Sequence, residues 1–221
     1  LMDRFELWPG LGRRRGWLVL TQLALAVALW ALSATSPTGA LQAFRRAWPE
    51  VQVHLEESNT TRLSEALRAG TLDAAFLRPD GAEPAELRLH RFKDEAMKVV
   101  LPASHRLAAQ RRIALRHLAA DPFVLFPRSV GPGLHDAVVQ ACRDAGFEPQ
   151  RGPETLQLSS VINLVAAGMG VSVVPDSLTQ VQVPGVRYLP IQGPAPKAPL
   201  GLAVPQHHRT PTVLNLWSVL G

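Results

Sequence analysis

The 221 residues are 47% hydrophobic and 19% charged, which excludes a disordered chain and leaves room for one large or two small domains with a sizeable core. The net charge of +5 comes from arginines scattered in pairs such as Arg45-Arg46 and Arg111-Arg112. Without a clustered stripe or a helix-turn-helix context they read as solvated helix faces, not as a nucleic-acid footprint. The single cysteine, Cys142, excludes an intrachain disulfide framework and a cysteine-based zinc site. Its place in AVVQACRDAGF makes it a small buried hydrophobe.

In chain order, Arg13-Arg14-Arg15 closes a start without periodicity, and Trp17 to Ala34 is almost unbroken apolar sequence. Two readings of it stay open. A basic region followed by an apolar one describes a signal peptide or anchor, although the run is short for a spanning helix. Alternatively Leu23 to Leu29 is a first buried strand. Residues 1–35 are set apart as an atypical segment.

Ser36-Pro37-Thr38 starts a helix with Leu41, Phe44 and Trp48 on its apolar face, and Pro49 stops it. Val51, Val53 and Leu55 alternate with polar residues as a strand. Ser58-Asn59-Thr60-Thr61 opens the next helix, which ends at Gly70. Leu72 to Leu77 is a buried strand stopped by Arg78-Pro79. Two strand–helix–strand units in succession predict a parallel sheet.

Leu87 to Leu101 holds one or two strands, Arg111 to Ala119 a short helix, and Phe123 to Phe126 a strand. The loop Pro127 to Gly133 leads into a helix from Leu134 to Ala145. In SSVINLVAAGMGVSVVP the period changes midway: Val161, Leu164 and Val165 recur at helical spacing, then Val171, Val173 and Val174 form a strand that Pro175 ends. Gly168 and Gly170 lie between, supplying positive φ at a helix end and a close approach to the strand. A β segment over Val181 to Leu189, a strand at Leu200 to Val204 and a helix over Thr212 to Leu220 complete the chain. The α/β pattern thus occurs twice, and ligands of open α/β sheets sit beyond the strand ends.

LQAFRRAWPEVQVHLEE, SEALRAGTLDAAFLRP, VVLPASHRLA, ACRDAGFEP, NLVAAGMGVSVVP and LGLAVP, in this order, resemble the effector-binding domain of LysR-type transcriptional regulators. The branch they are most similar to responds to aromatic-catabolism metabolites such as muconate or benzoate. The resemblance covers about Ala40 to Leu220. It implies an α/β, two-lobed fold like that of periplasmic solute-binding proteins, with two crossover strands near Val99-Pro102 and Leu202-Pro205. Lobe I is then 36–100 plus 204–221, and lobe II is 101–203. Family members carry a helix-turn-helix and a linker helix before this domain, and neither pattern is found here. DNA contact is therefore expected only through a helix-turn-helix absent from this chain. A fragment, a frame-altered product and a stand-alone effector module are all open accounts of that departure.

The resemblance also implies a site. Thr60 matches a ligand-contacting threonine at a helix start, where free N–H groups suit an anion; the plainer reading is an N-cap. Asn59 shares that turn. Arg78 matches an arginine near the ligand, and its fork can hold a carboxylate with two hydrogen bonds. A surface arginine before a proline loop is the alternative. Gln157 replaces a glutamate that faces this arginine in the branch, so any charge relay between the two positions is lost. Ser129, Val130, Gly131, Pro132 and Leu134 form the opposing loop and helix start; the other reading is an ordinary strand-to-helix loop. Leu134 stands where muconate-responsive members have phenylalanine.

His207-His208 and His135-Asp136 lack a third ligand at usable spacing, so no metal is expected. No cofactor is expected either, and no Gly-x-Ser-x-Gly elbow or P-loop supports catalysis. The expected protein is a cytoplasmic, dimeric or higher-order ligand-sensing module that binds a small carboxylate, not an enzyme. It touches no membrane unless 17–34 inserts. The rival is a secreted solute-binding protein, resting on the basic-then-apolar start; an enzyme, resting on fold analogy alone, comes third.

Overall fold

The structure, a computed structural model, describes residues 36–81, 85–180, 182–207 and 210–220. The apolar run Trp17 to Ala34 and its alternative strand Leu23 to Leu29 lie outside the described residues, as does His208. The elements are α1 (Pro37–Ala47), α2 (Thr60–Ala69), β1 (Ala75–Leu77), β2 (Leu87–Arg91), β3 (Glu95–Pro102) and β4 (Pro122–Leu125). There follow α3 (Pro132–Asp144), β5 (Gln150–Glu154), α4 (Leu158–Ala166), β6 (Ser172–Pro175), β7 (Val186–Pro190), β8 (Lys197–Ala198), β9 (Gly201–Pro205) and α5 (Pro211–Ser218). Short 3-10 turns occupy Leu115–Leu118 and Asp176–Gln180. Contacts divide the described residues into two units: those from 36 to Val53 with those from Thr210 on, and those between His54 and Arg209.

In the smaller unit the two described helices begin alike. The Ser36 hydroxyl accepts from the Gly39 N–H at 3.1 Å and the Thr210 hydroxyl from the Val213 N–H at 3.3 Å, with proline as the first helical residue in each case. These caps satisfy N–H groups that the helix cannot. Ala43, Phe44 and Val219 are buried together, with Trp48, Val51 and Leu216 packed around them.

The larger unit holds three sheets. In the first, β9 lies between β1 and β2 and is antiparallel to both. Leu67 of α2 buries itself there against Ala75, Leu77 and Ala203. In the second, β3 is flanked by β6 and β7, again antiparallel, and its start also pairs with β8. Among the described residues only β4 and β5 form a parallel pair of strands, joined to the second sheet by a bridge from Phe123 to Val171. Of the strands from which a parallel sheet was expected, Leu72 to Leu77 persists as β1, and its described neighbour β9 returns antiparallel from the far end of the chain. The strand expected at Val51, Val53 and Leu55 is absent. No described strand offers it a ladder, and Val53 and Leu55 are exposed rather than buried.

The stretch Ser159 to Pro175 folds as its change of period requires. Val161, Ile162 and Val165 of α4 are fully buried, each worth about 1.5–3 kcal/mol relative to exposure. Gly168 follows the helix end at φ 76°. Gly170, at φ 146°, lies so close to the Pro122 carbonyl that a Cβ would collide with it. β6 then enters the core with all four of its residues buried. Ser172, which the valine pattern passes over, donates its hydroxyl to the Val124 carbonyl at 2.7 Å. That bond ties β6 to β4 and satisfies the one buried polar side chain of the described core.

Candidate functional site

Three helix starts and one strand end meet within the larger unit. At the start of α2, Asn59 has extended backbone and its Oδ1 accepts from the Arg62 N–H at 3.0 Å. The capping role therefore belongs to Asn59, and Thr60 is the first helical residue. At the start of α3, Gly131 precedes Pro132; at the start of α4, Gln157 precedes Leu158. Neither of these caps closes its helix with a side-chain hydrogen bond, so the N–H groups of the first turn have no acceptor from their own cap.

These starts surround a cavity of about 270 Å³. Asn59 and Thr60 line one wall and Arg78, just past β1, the next. Val130, Gly131, Leu134 and Gln157 line the cavity as well. Ser129 and Pro132, expected in the same set, are not around it. The Ser129 carbonyl accepts the Thr61 hydroxyl at 2.9 Å, which fastens the α2 start to the loop before α3. Pro132 lines a neighbouring hollow of about 160 Å³ beside Asp80. Gly133 allows this close seating, since a Cβ there would lie 2.9 Å from the Asp80 Cα.

Arg78 is the only cationic residue around the cavity among the described residues. Its Nη2 lies 3.6 Å from Glu95 Oε2, and the two side chains are 15% and 18% exposed. Nη1 donates to the Pro199 carbonyl at 3.4 Å. Burial pulls the Arg78 guanidinium below its ordinary value, and the Glu95 carboxylate works against that shift. Glu95 is itself held by the Ser177 hydroxyl at 2.7 Å and the Ser177 N–H at 3.3 Å. The arginine is therefore not a bare surface cation. It also has a carboxylate partner, at Glu95 rather than at the Gln157 position.

Most of the remaining wall was not marked by sequence reasoning. Leu63, Phe76, Leu77, Phe126, Leu156, Leu158 and Leu200 supply apolar surface, and Glu57 and Ser58 complete the rim. Phe76 had a usable signal, because it alternates with the buried Ala75 and Leu77 along β1. Glu95 had none, being distant in sequence from Arg78 and in no recurring pattern with it. The His135-Asp136 pair is taken up elsewhere: Asp136 accepts a two-pronged contact from Arg128 at 2.8 Å, and the His135 ring meets Phe126 edge-on at 6.4 Å. A larger hollow, about 520 Å³ between α3 and residues 191–197, contains none of the expected residues.

The arrangement offers one guanidinium, several helix-start N–H groups and an apolar wall. Together these have the chemistry that suits an organic acid. Among the described residues no helix is long and apolar enough to cross a membrane.

Known proteins resemble this chain in sequence and fold. The HTH-type transcriptional regulator BudR of Raoultella terrigena is 33% identical over 173 residues, covering 78% of this chain and 60% of BudR. The HTH-type transcriptional regulator BenM of Acinetobacter baylyi is 29% identical over 179 residues, covering 80% of this chain and 59% of BenM. The chain thus spans about 60% of the length of the curated relatives it matches. The BenM effector-binding domain, solved with its effector benzoate, superposes with a TM-score of 0.67 at 27% identity, covering 82% of both chains. The LysR family regulator CbnR, at 23% identity and a TM-score of 0.72 over 82% of this chain and 62% of CbnR, shares the fold. The fold class is accordingly the two-lobed, periplasmic-binding-protein-like one of these effector-binding domains, and the matches favour a regulator domain over a secreted solute-binding protein. With a family model described as the LysR substrate binding domain matching residues 27–221, the chain belongs to that family.

Proposed function

We propose that the chain is the effector-sensing part of a LysR-type transcriptional regulator and that its effector is a small organic or aromatic acid held in the cavity beside Arg78. The observation that carries this reading is a largely buried guanidinium at a cavity onto which the starts of α2, α3 and α4 all open. Helix starts and a guanidinium both favour a carboxylate, and an apolar wall favours the rest of such a molecule. That BenM was solved with benzoate as its effector supports the same class of ligand.

In this reading residues 36–100 with 204–221 act as lobe I and residues 101–203 as lobe II, the cavity lying between them. An acid contacting both lobes favours the closed arrangement by the difference in its affinity for the two states. It thereby shifts the packing of a homodimer or higher homo-oligomer in the cytoplasm. DNA contact belongs to a helix-turn-helix outside this sequence. The protein is a binding module, and the regulators it resembles support that over an enzyme.

Calorimetric titration of the 221-residue chain with benzoate and related acids tests the reading. Saturable binding is expected, weakened at least about tenfold by Arg78→Ala, a loss of roughly 1.4 kcal/mol or more. Binding like that of the wild type after Arg78→Ala removes the anchor role.

A further inference from the structure

Resting on the site proposed above, we infer that the cavity selects monocarboxylates with an apolar body over dicarboxylates of the same length. The argument is one of charge. Arg78 is the sole cationic side chain around the cavity among the described residues, and the Glu95 carboxylate already stands 3.6 Å from it. Neither side chain is more than 18% exposed, so water does little to screen that pair. Glu57 adds a second negative charge at the rim, and Gln157 adds none.

On the positive side the three helix starts each act as about half a unit charge. Taken with Arg78, Glu57 and Glu95 they leave the site roughly half a unit positive. One carboxylate takes it to roughly half a unit negative, and a second to roughly one and a half. The second leaves the larger excess of negative charge in a partly dry cavity, which is unfavourable without a partner.

The shape of the wall agrees. Besides Arg78 the cavity is lined by Phe76, Phe126, Leu134, Leu158 and Leu200, which suit an aromatic ring or a short aliphatic chain. The volume of about 270 Å³ is at the small end for ligand sites. The selectivity therefore comes from the charges fixed around the cavity, and Glu95 is the residue that sets it without lining the cavity.

Matched pairs of acids test this by calorimetry on the whole chain: benzoate against terephthalate, and hexanoate against adipate. Each monoacid is expected to bind at least about tenfold more tightly than its diacid. Glu95→Gln should reduce that ratio to about threefold or less by releasing the arginine. Glu57→Gln, at the exposed rim where folding is not at stake, should reduce it in the same direction. Diacids binding as tightly as monoacids overturns the inference and leaves the acid-binding reading standing. A preference that neither substitution changes also overturns it, since the charges are then not its origin. No binding by any of the four acids overturns the acid-binding reading, and this inference with it.

Discussion

Arg78 and Glu95 should reveal that the site is kept at the expense of stability. At 3.6 Å and an effective dielectric constant of about 20, their attraction is about 4–5 kcal/mol. Desolvation of two ions costs several kcal/mol each, and burial is the larger influence on the arginine, lowering its pKa from the ordinary value. The sign follows directly. A base that holds its proton less tightly in the folded state than in the unfolded one is charged at neutral pH at a net cost to folding. Arg78→Met alone strands a carboxylate that still keeps its two Ser177 hydrogen bonds, so it should cost about 1–3 kcal/mol, less than a fully orphaned buried ion. The double variant Arg78→Met/Glu95→Gln should lie between neutral and about 2 kcal/mol more stable than the wild type. Urea unfolding followed by circular dichroism gives the stabilities, and benzoate titration of the same samples should show acid binding lost in both variants. A double variant more than about 1 kcal/mol less stable than the wild type would refute the reasoning, because the pair would then be a structural asset.

Three further outcomes are expected. Gly170→Ala should destabilise by about 2–5 kcal/mol, combining backbone strain with overlap on the Pro122 carbonyl; Gly168→Ala, with nothing within 4 Å of the added Cβ, should cost only about 1 kcal/mol, and equal losses in thermal unfolding would contradict the close-approach account. The thiol of Cys142 is buried and pushed up to about 12 by burial, with Glu148 adding to the shift, so it should stay unreactive to a thiol reagent at pH 8 until denaturant is added. The Asp136 carboxyl, lowered from 3.8 to about 2 chiefly by its hydrogen bonds with Arg128, should titrate near 2 by NMR and return toward 3.8 in Arg128→Gln. Its small contribution to stability is present above the unfolded pKa and fades as pH falls from about 4 toward 2, and an unshifted midpoint in the variant would show that Arg128 is not the cause.

What the sequence made legible was local. The helix, paired glycines and strand of Ser159 to Pro175 sit close enough in the chain for period and φ preference to determine them. Helix starts at Ser36 and Asn59 were marked by side chains that cap within three residues; the cap at Thr210 lay two residues before the start read at Thr212. Pairing across the chain was not legible, because alternation marks a strand's faces and not its neighbours. Hence β9 between β1 and β2 was missed, and the alternating Val51 to Leu55 was over-read. The site followed the same division. Asn59, Thr60, Arg78, Val130, Gly131, Leu134 and Gln157, named through family likeness, all fall around one cavity. Ser129 and Pro132 lie just off it, since a turn of backbone separates neighbours that sequence treats alike. Glu95 required the fold itself, as only tertiary structure brings it to Arg78.

The place of β9 has a temporal consequence. β1 and β2 emerge from the ribosome before β9, yet each is hydrogen-bonded to that strand, made about half the chain later. At synthesis rates of about 5–20 residues per second, those edges wait on the order of ten seconds for their partner. Through that interval the nascent chain carries two short unpaired strands that another polypeptide can reach, so slowing translation between Arg91 and Gly201 lengthens the exposure.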